Sequence, residues 1–271
     1  MAAPPADLSA ALILYGDGRY SEAQALFERI AARRPDDPEL DFYLGRLALW
    51  FDDDAKGLAH LAKAAQAAPN DARIQNALGD AFGLAAQKAP LYSKFGWARK
   101  CRAAYERAVE LDPRNPAFHW SLLGYFHLAP RIAGGGMDKA YAEADEIQKL
   151  DPMGGRVAFA TLYLAEKRSD EAFAEFDEVL RRTPDDFIAL YNIGRCAAVS
   201  GEHLDRGIAA LKRCLRLPLP SGDGKPKRAN VYYRLGNLLE KKGDLAGARI
   251  EYEIAMRTNP DFRPDKVALK M

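Results

Sequence analysis

The chain has 271 residues, 48% hydrophobic and 28% charged, a balance that allows both a buried core and a solvated surface. Its 39 Lys and Arg against 38 Asp and Glu leave a net charge of +1, which argues against general nucleic-acid binding, where a clear basic excess is needed. No apolar run approaches the roughly 18 residues of a membrane span, and the widely spaced Cys101, Cys196 and Cys214 form neither a disulfide framework nor a zinc pattern.

The opening "MAAPPADLSAA" suits the mature start of an exported protein, which leaves the compartment open between cytoplasm and periplasm. From there the chain is punctuated by prolines at Pro35, Pro69, Pro113, Pro152, Pro184, Pro218 and Pro260, at intervals of 34, 44, 39, 32, 34 and 42 residues. A period near 34 with two helices per unit is a known repeat signature. Seven units follow in order, near 6–35, 38–69, 72–113, 117–152, 153–184, 187–218 and 229–260. Each carries a small residue on its first helix, helix A: Ala11, Gly45, Gly79, Gly124, Ala160, Gly194 and Gly236. Another stands on the second, helix B: Ala23, Gly57, Cys101, Ala140, Ala172, Gly207 and Ala248. Helices that cross closely need small side chains there. One turn later helix B carries a large apolar residue: Phe27, Leu61, Tyr105, Phe176, Leu211 and Tyr252. The fourth unit has Ala144 instead, so looser packing is expected there. The proline closing each unit stops helix B.

The uneven intervals locate three insertions. About ten extra residues lie in the third unit around "AAQKAPLYSKFGWARKC", five in the fourth in "LAPRIAGGG", and eight between the sixth and seventh in "LPLPSGDGKPKRAN". The first two fall between helices A and B of adjacent units, so they are expected side by side on one edge. In the third unit, "SKFGWARKCRAAYERA" interleaves bases with Phe95 and Trp97. It reads as an amphipathic helix whose inner stripe is Ala98, Cys101, Ala104, Tyr105 and Ala108, with a nucleic-acid or membrane-surface role as the lesser reading. In the fourth unit, glycines before a helix can cradle an anion. The Walker pattern needs Lys followed by Ser or Thr, in a strand–loop–helix setting, and this loop has neither. A structural turn is therefore favoured over an anion site of Arg131, Gly134, Gly135 and Gly136.

Candidate chemistry elsewhere is sparse. His60, His119, His127 and His203 are scattered, and His119 and His127 stand eight apart on one expected helix, beyond the spacing for a shared metal. The acids of "WFDDDAKG" lack the further ligands and glycine of a calcium loop and read as a helix start. No catalytic set, metal or cofactor is expected.

The seventh unit, "ANVYYRLGNLLEKKGDLAGARIEYEIAMRTNP", resembles the tetratricopeptide repeat family position by position, through Tyr232, Leu235, Gly236, Leu239, Leu245, Ala248, Tyr252, Ala255 and Pro260. The two insertions over residues 75–152 further resemble a group of bacterial, often exported, members. The resemblance implies an all-α fold, a right-handed superhelical solenoid forming a single domain over 1–271, with 261–271 a tail or partial cap. It also implies a non-enzymatic scaffold that holds a protein or peptide along the concave face of the A helices. Spacings of 3, 4 and 3 on those helices select Phe42, Arg46 and Leu49, then Asn76 and Asp80, then Phe118, Ser121 and Tyr125, then Tyr191 and Arg195, and finally Tyr233 and Asn237. The clamp that some members use for a terminal carboxylate needs Lys and Asn pairs, and here Tyr233 stands in place of the Lys. A small-molecule or glycan pocket around Trp97 and Arg131 is the alternative. Charge is also polarised: residues 1–54 hold 11 acids and 5 bases, residues 205–271 hold 8 acids and 15 bases. Solvated helix faces explain this, and so would weak head-to-tail self-association.

Overall fold

The computed structural model describes residues 6–221 and 226–263. Among these residues the chain is all helical, with fourteen α-helices in seven antiparallel pairs and no strand. In chain order they are α1 (Ala6–Gly16) with α2 (Tyr20–Ala31), α3 (Pro38–Trp50) with α4 (Asp54–Ala67), and α5 (Ala72–Lys88) with α6 (Leu91–Leu111). Next come α7 (Pro116–Leu128) with α8 (Met137–Leu150), α9 (Pro152–Ala165) with α10 (Ser169–Arg182), α11 (Phe187–Ser200) with α12 (Leu204–Cys214), and α13 (Arg228–Lys241) with α14 (Leu245–Thr258). A single 3-10 turn, Arg131–Ala133, lies between α7 and α8. The odd-numbered helices are the A helices. The described part of the 261–271 tail includes Phe262, which is buried against Ala229 and Ala255.

Helix starts follow the side-chain chemistry of their caps. Short acceptors satisfy amide groups that the first helical turn leaves unpaired. Asp37 accepts from the Glu39 amide at 3.0 Å, Asp71 from the Arg73 amide at 2.8 Å and Asn115 from the Ala117 amide at 3.1 Å. Asp186 accepts from the Ala189 amide at 2.8 Å and Asp244 from the Gly247 amide at 2.9 Å. The acids of "WFDDDAKG" serve α4: Asp53 accepts from the Lys56 amide, and Asp54 pairs with Lys88.

Within the pairs, the small residue of helix A meets the large residue of helix B. A methyl group added at Gly45 would lie 2.6 Å from Leu61, and one at Gly79 or Gly236 would lie 2.5 Å from Tyr105 or Tyr252. At Gly194 it would overlap Leu211. Gly124 is different, with nothing within 4 Å, because its helix B carries Ala144 where the others carry a large side chain. Ala144 itself is fully buried, so the looser packing is confined to the space beside Gly124.

The chain divides into two compact units, Met1–Pro152 and Met153–Met271. The division coincides with the join between the fourth and fifth repeats. The first unit is centred on Phe27, Leu40, Leu47, Leu61 and Ile74, the second on Phe176, Ile193, Leu211, Leu235 and Leu238. The insertion in the third repeat is helical and lengthens both members of its pair, α5 to 17 residues and α6 to 21. Of the expected inner stripe, Cys101, Ala104, Tyr105 and Ala108 are buried on α6, while Ala98 is only partly buried. The insertion of the fourth repeat folds against it: the 3-10 turn contacts α6, and the Tyr125 hydroxyl donates to the Ala133 carbonyl at 2.7 Å. Part of the third insertion, residues 222–225, lies outside the described residues. Nearby, the Arg228 guanidinium gathers the carbonyls of Cys214, Leu215 and Leu217.

Candidate functional site

Neighbouring A helices touch one another, α3 with α5 and α5 with α7 in the first unit, α11 with α13 in the second. The face chosen by the 3–4–3 spacing is thus partly a packing face. Phe42, Leu49, Phe118, Tyr125, Tyr191 and Arg195 are buried, which corrects their reading as open groove contacts. Arg46 and Asp80 are exposed, and Asn76, Ser121, Tyr233 and Asn237 are partly so.

In the first unit the exposed Arg46 sits on aromatic rings. The Arg46 guanidinium lies 5.5 Å from the ring centres of both Tyr15 and Phe42, and Arg73 lies 5.3 Å from Phe42 on another side. Cation–π contact holds the Arg46 guanidinium on its rings, whereas the Arg73 guanidinium also donates to the carboxylates of Glu39 and Asp71. The Asn76 side-chain oxygen is buried without a hydrogen-bond partner. Asp80 accepts from the Tyr105 hydroxyl at 2.7 Å. Burial, reinforced by that carboxylate, pushes the Tyr105 phenol well above its ordinary range. Ser121 Oγ turns back to the Ala117 carbonyl at 3.4 Å. A shallow cleft lined by Asp71, Arg73, Asn115 and Phe118 opens between the ends of α4 and α6.

In the second unit, Tyr233 packs 5.6 Å from the ring centres of both Tyr252 and Phe262, and the Asn237 amide donates to the Tyr252 hydroxyl at 2.9 Å. Tyr191 accepts from Arg234 Nε at 3.3 Å, and Arg195 donates to Thr161 Oγ1 at 2.6 Å. Neither Thr161 nor Arg234 was selected by the spacing rule. The signal for Arg234 is a charge inside the apolar stripe Val231, Leu235 and Leu238.

The glycine loop is a structural turn. Its amides are already used: Gly134 donates to the Arg131 carbonyl at 2.9 Å, Gly135 to Pro130 at 3.2 Å and Gly136 to Phe126 at 2.8 Å. Gly134 has φ +88°, a conformation that favours glycine, and at Gly135 a side chain would strike the Ala129 carbonyl. The anion reading therefore lacks the free amides of Gly134, Gly135 and Gly136, and Arg131 stands exposed, 4.0 Å from Asp138. Trp97, the other half of the alternative pocket, packs on Phe82 and under the Lys100 ammonium at 4.5 Å.

Three of the four histidines are less isolated than their spacing suggests, and His127 Nδ1 is buried without a partner. His60 bonds Asp41 at 2.7 Å, and His119 bonds Glu143 at 2.7 Å. His203 stands with Asp170 and Glu202, their ligand atoms within 4.8 Å of one another. The three are exposed, and solvated acids adopt such spacing without an ion. All three thiols are buried and free. Burial pushes Cys101 and Cys214 up to about 12 and Cys196 up to about 11, the opposite of an activated nucleophile.

Models of the tetratricopeptide repeat match residues 14–81, 84–115, 157–205 and 198–261. The chain belongs to the tetratricopeptide repeat family. The matches leave out the whole of the fourth repeat, the one with Ala144 and the glycine turn. No curated protein matches the chain. Among solved structures it is similar to a tetratricopeptide repeat protein of Thermus thermophilus, with 24% identity, 77% of this chain and 97% of that one covered, and a TM-score of 0.58. A tetratricopeptide repeat protein from Parabacteroides merdae also scores 0.58, at 14% identity, with 98% and 97% covered. The Cut9–Hcn1 hetero-tetramer of APC/C scores 0.55 at 14% identity, covering 96% of this chain and 47% of that one. These likenesses establish the fold, an α-solenoid of helical pairs. No helix among the described residues is long and apolar enough to cross a membrane.

Proposed function

We propose that this tetratricopeptide repeat protein is a non-enzymatic scaffold that holds a protein or peptide segment on its A-helix faces. The observation that carries this reading is the exposed Arg46 guanidinium seated on Tyr15 and Phe42. Ring-supported arginine is the residue chemistry of binding hot spots, where rigid groups lose little entropy on contact. Asn76, with its buried acceptor unmatched, and the exposed Asp80 extend that surface along α5. The insertions add exposed apolar side chains, Tyr92 at 90% and Ile132 at 83% exposure among them, which suits protein contact better than a closed pocket for a small molecule or glycan. Cut9, in its hetero-tetramer with Hcn1, is a precedent for this fold in a protein assembly. We also take the polarised charge as the basis of weak head-to-tail self-association.

The test is affinity capture with the full chain, followed by direct binding of the recovered partner to an Arg46→Ala, Asp80→Ala double variant. Affinity falling about tenfold or more, with helicity intact, is the expected result. Unchanged affinity removes the first unit's A-helix face as the site. A large thermal shift with a metabolite and no captured partner would favour the small-molecule reading instead.

A further inference from the structure

The second unit buries two arginines without an acid. Arg195 on α11 is 6% exposed and Arg234 on α13 is 5% exposed. Arg195 donates one terminal nitrogen to Thr161 Oγ1 at 2.6 Å and to the Val157 carbonyl at 3.4 Å. Its Nε is sealed from solvent and has no hydrogen-bond partner. Arg234 uses only its Nε, toward the Tyr191 hydroxyl. Its terminal nitrogens bond no described residue. Tyr191 accepts that bond, and its own proton has no acceptor among the described residues. Thr161 holds its position by donating to the Val157 carbonyl at 2.7 Å. Other ion pairs in this protein have their counter-ion at hand, as Arg156 has Glu175. Neither Arg195 nor Arg234 has a carboxylate among the described residues.

A guanidinium does not shed its proton at ordinary pH, so burial cannot be relieved by neutralisation. Burial and the nearby Arg234 charge both disfavour the Arg195 cation. Buried cations without a counter-ion are costly unless an anion joins them. The unused groups are all donors: Arg195 Nε, the Arg234 terminal nitrogens and the Tyr191 hydroxyl. We propose that they form an oxyanion site between α11 and α13, taking a carboxylate or a phosphate, with Thr161 as the positioning residue for Arg195. Tyr191 and Arg195 belong to the residues that helical spacing selects, but the partner surface proposed above rests on Arg46, Asn76 and Asp80 of the first unit and shares no residue with this set.

The test uses the full chain with nitrogen-15 arginine, following the Nε–H signals of Arg195 and Arg234 during titration with inorganic phosphate and, separately, acetate. Chloride at matched ionic strength is the control. The expected result is a saturable shift of both signals, with a rise in melting temperature that chloride does not reproduce. An Arg234→Gln variant should bind about tenfold more weakly or worse. An acetylated tetraglutamate peptide separates the sources of the anion. Tighter binding than acetate assigns the site to an acidic peptide segment, and phosphate outcompeting the peptide assigns it to a free or phosphoryl ligand. Either supports the site. Signals that move no more with phosphate and acetate than with chloride overturn it, and so does phosphate binding undiminished in a folded Arg234→Gln variant. If that variant does not fold, the titration of the unaltered chain decides alone.

Discussion

Gly124 and Gly194 occupy the same place in their repeats and face opposite circumstances. Gly194 abuts Leu211, and Gly124 faces the space that Ala144 leaves. Glycine in a helix interior costs about 1 kcal/mol relative to alanine. Gly124→Ala should therefore raise stability by up to about 1 kcal/mol, whereas Gly194→Ala should lower it by about 1–3 kcal/mol through overpacking. Denaturant unfolding of the pair checks both signs, and equal effects would show that the repeat register is wrong. The thiols give a second test at this scale. Cys101, Cys196 and Cys214 are buried, with values raised above 9.0. In the unfolded chain they ionise near the ordinary value while the folded chain keeps them protonated. Between about pH 9 and 11–12 the unfolded state therefore binds fewer protons, and stability must fall as pH rises. A Cys196→Ala, Cys214→Ala variant should show a shallower alkaline decline. Labelling of all three native thiols should be slow and should accelerate with denaturant.

The caps decide where several helices begin. Asp186 ends the turn after Pro184 and accepts from the Ala189 amide, starting the helix that carries Tyr191 and Arg195. Removing an acceptor of this kind costs about 1 kcal/mol, within a range of 0.5–2. Asp186→Ala should lower stability by that amount and Asp186→Asn by much less, because Asn caps equally well. Hydrogen exchange at the first turn of α11 is the direct reading. Elements also explain why the insertions differ. In the third repeat, "LYSKFGWARKC" has good helix formers and no internal proline, so the extra residues extend α6. In the fourth, Pro130 and three glycines interrupt the helix, and the chain makes a 3-10 turn whose amides close on their own carbonyls.

At the scale of the molecule, charge is the long-range property. Residues 1–54 carry a net −6 and residues 205–271 a net +7, and fields of that kind act between copies only within about 10 Å at 0.1 M salt. If they align copies head to tail, sedimentation velocity at low salt should show reversible, concentration-dependent association that is gone by about 0.5 M salt. Association that persists in high salt would point to an apolar contact instead, and none at low salt would leave the polarity to solvated faces.

The helical pairs and the packing register were legible in the sequence because both are local and repeated. A small residue on helix A, a small residue on helix B and a large one a turn later recur wherever two helices cross closely. Even the exception, Ala144, announced itself by breaking the series. The glycine loop was legible as a turn for the same reason, since its chemistry lies within a few residues. The exposure of the A-helix residues was not. Helical spacing says which side chains share a face, and only the packing of one A helix on the next decides that Phe42, Phe118 and Tyr191 are covered while Arg46 stays open. The pairing of Arg195 with Arg234, and of His203 with Asp170, lies further still from the sequence. Those residues meet only after separate repeats stack, so tertiary structure alone brings their charges together.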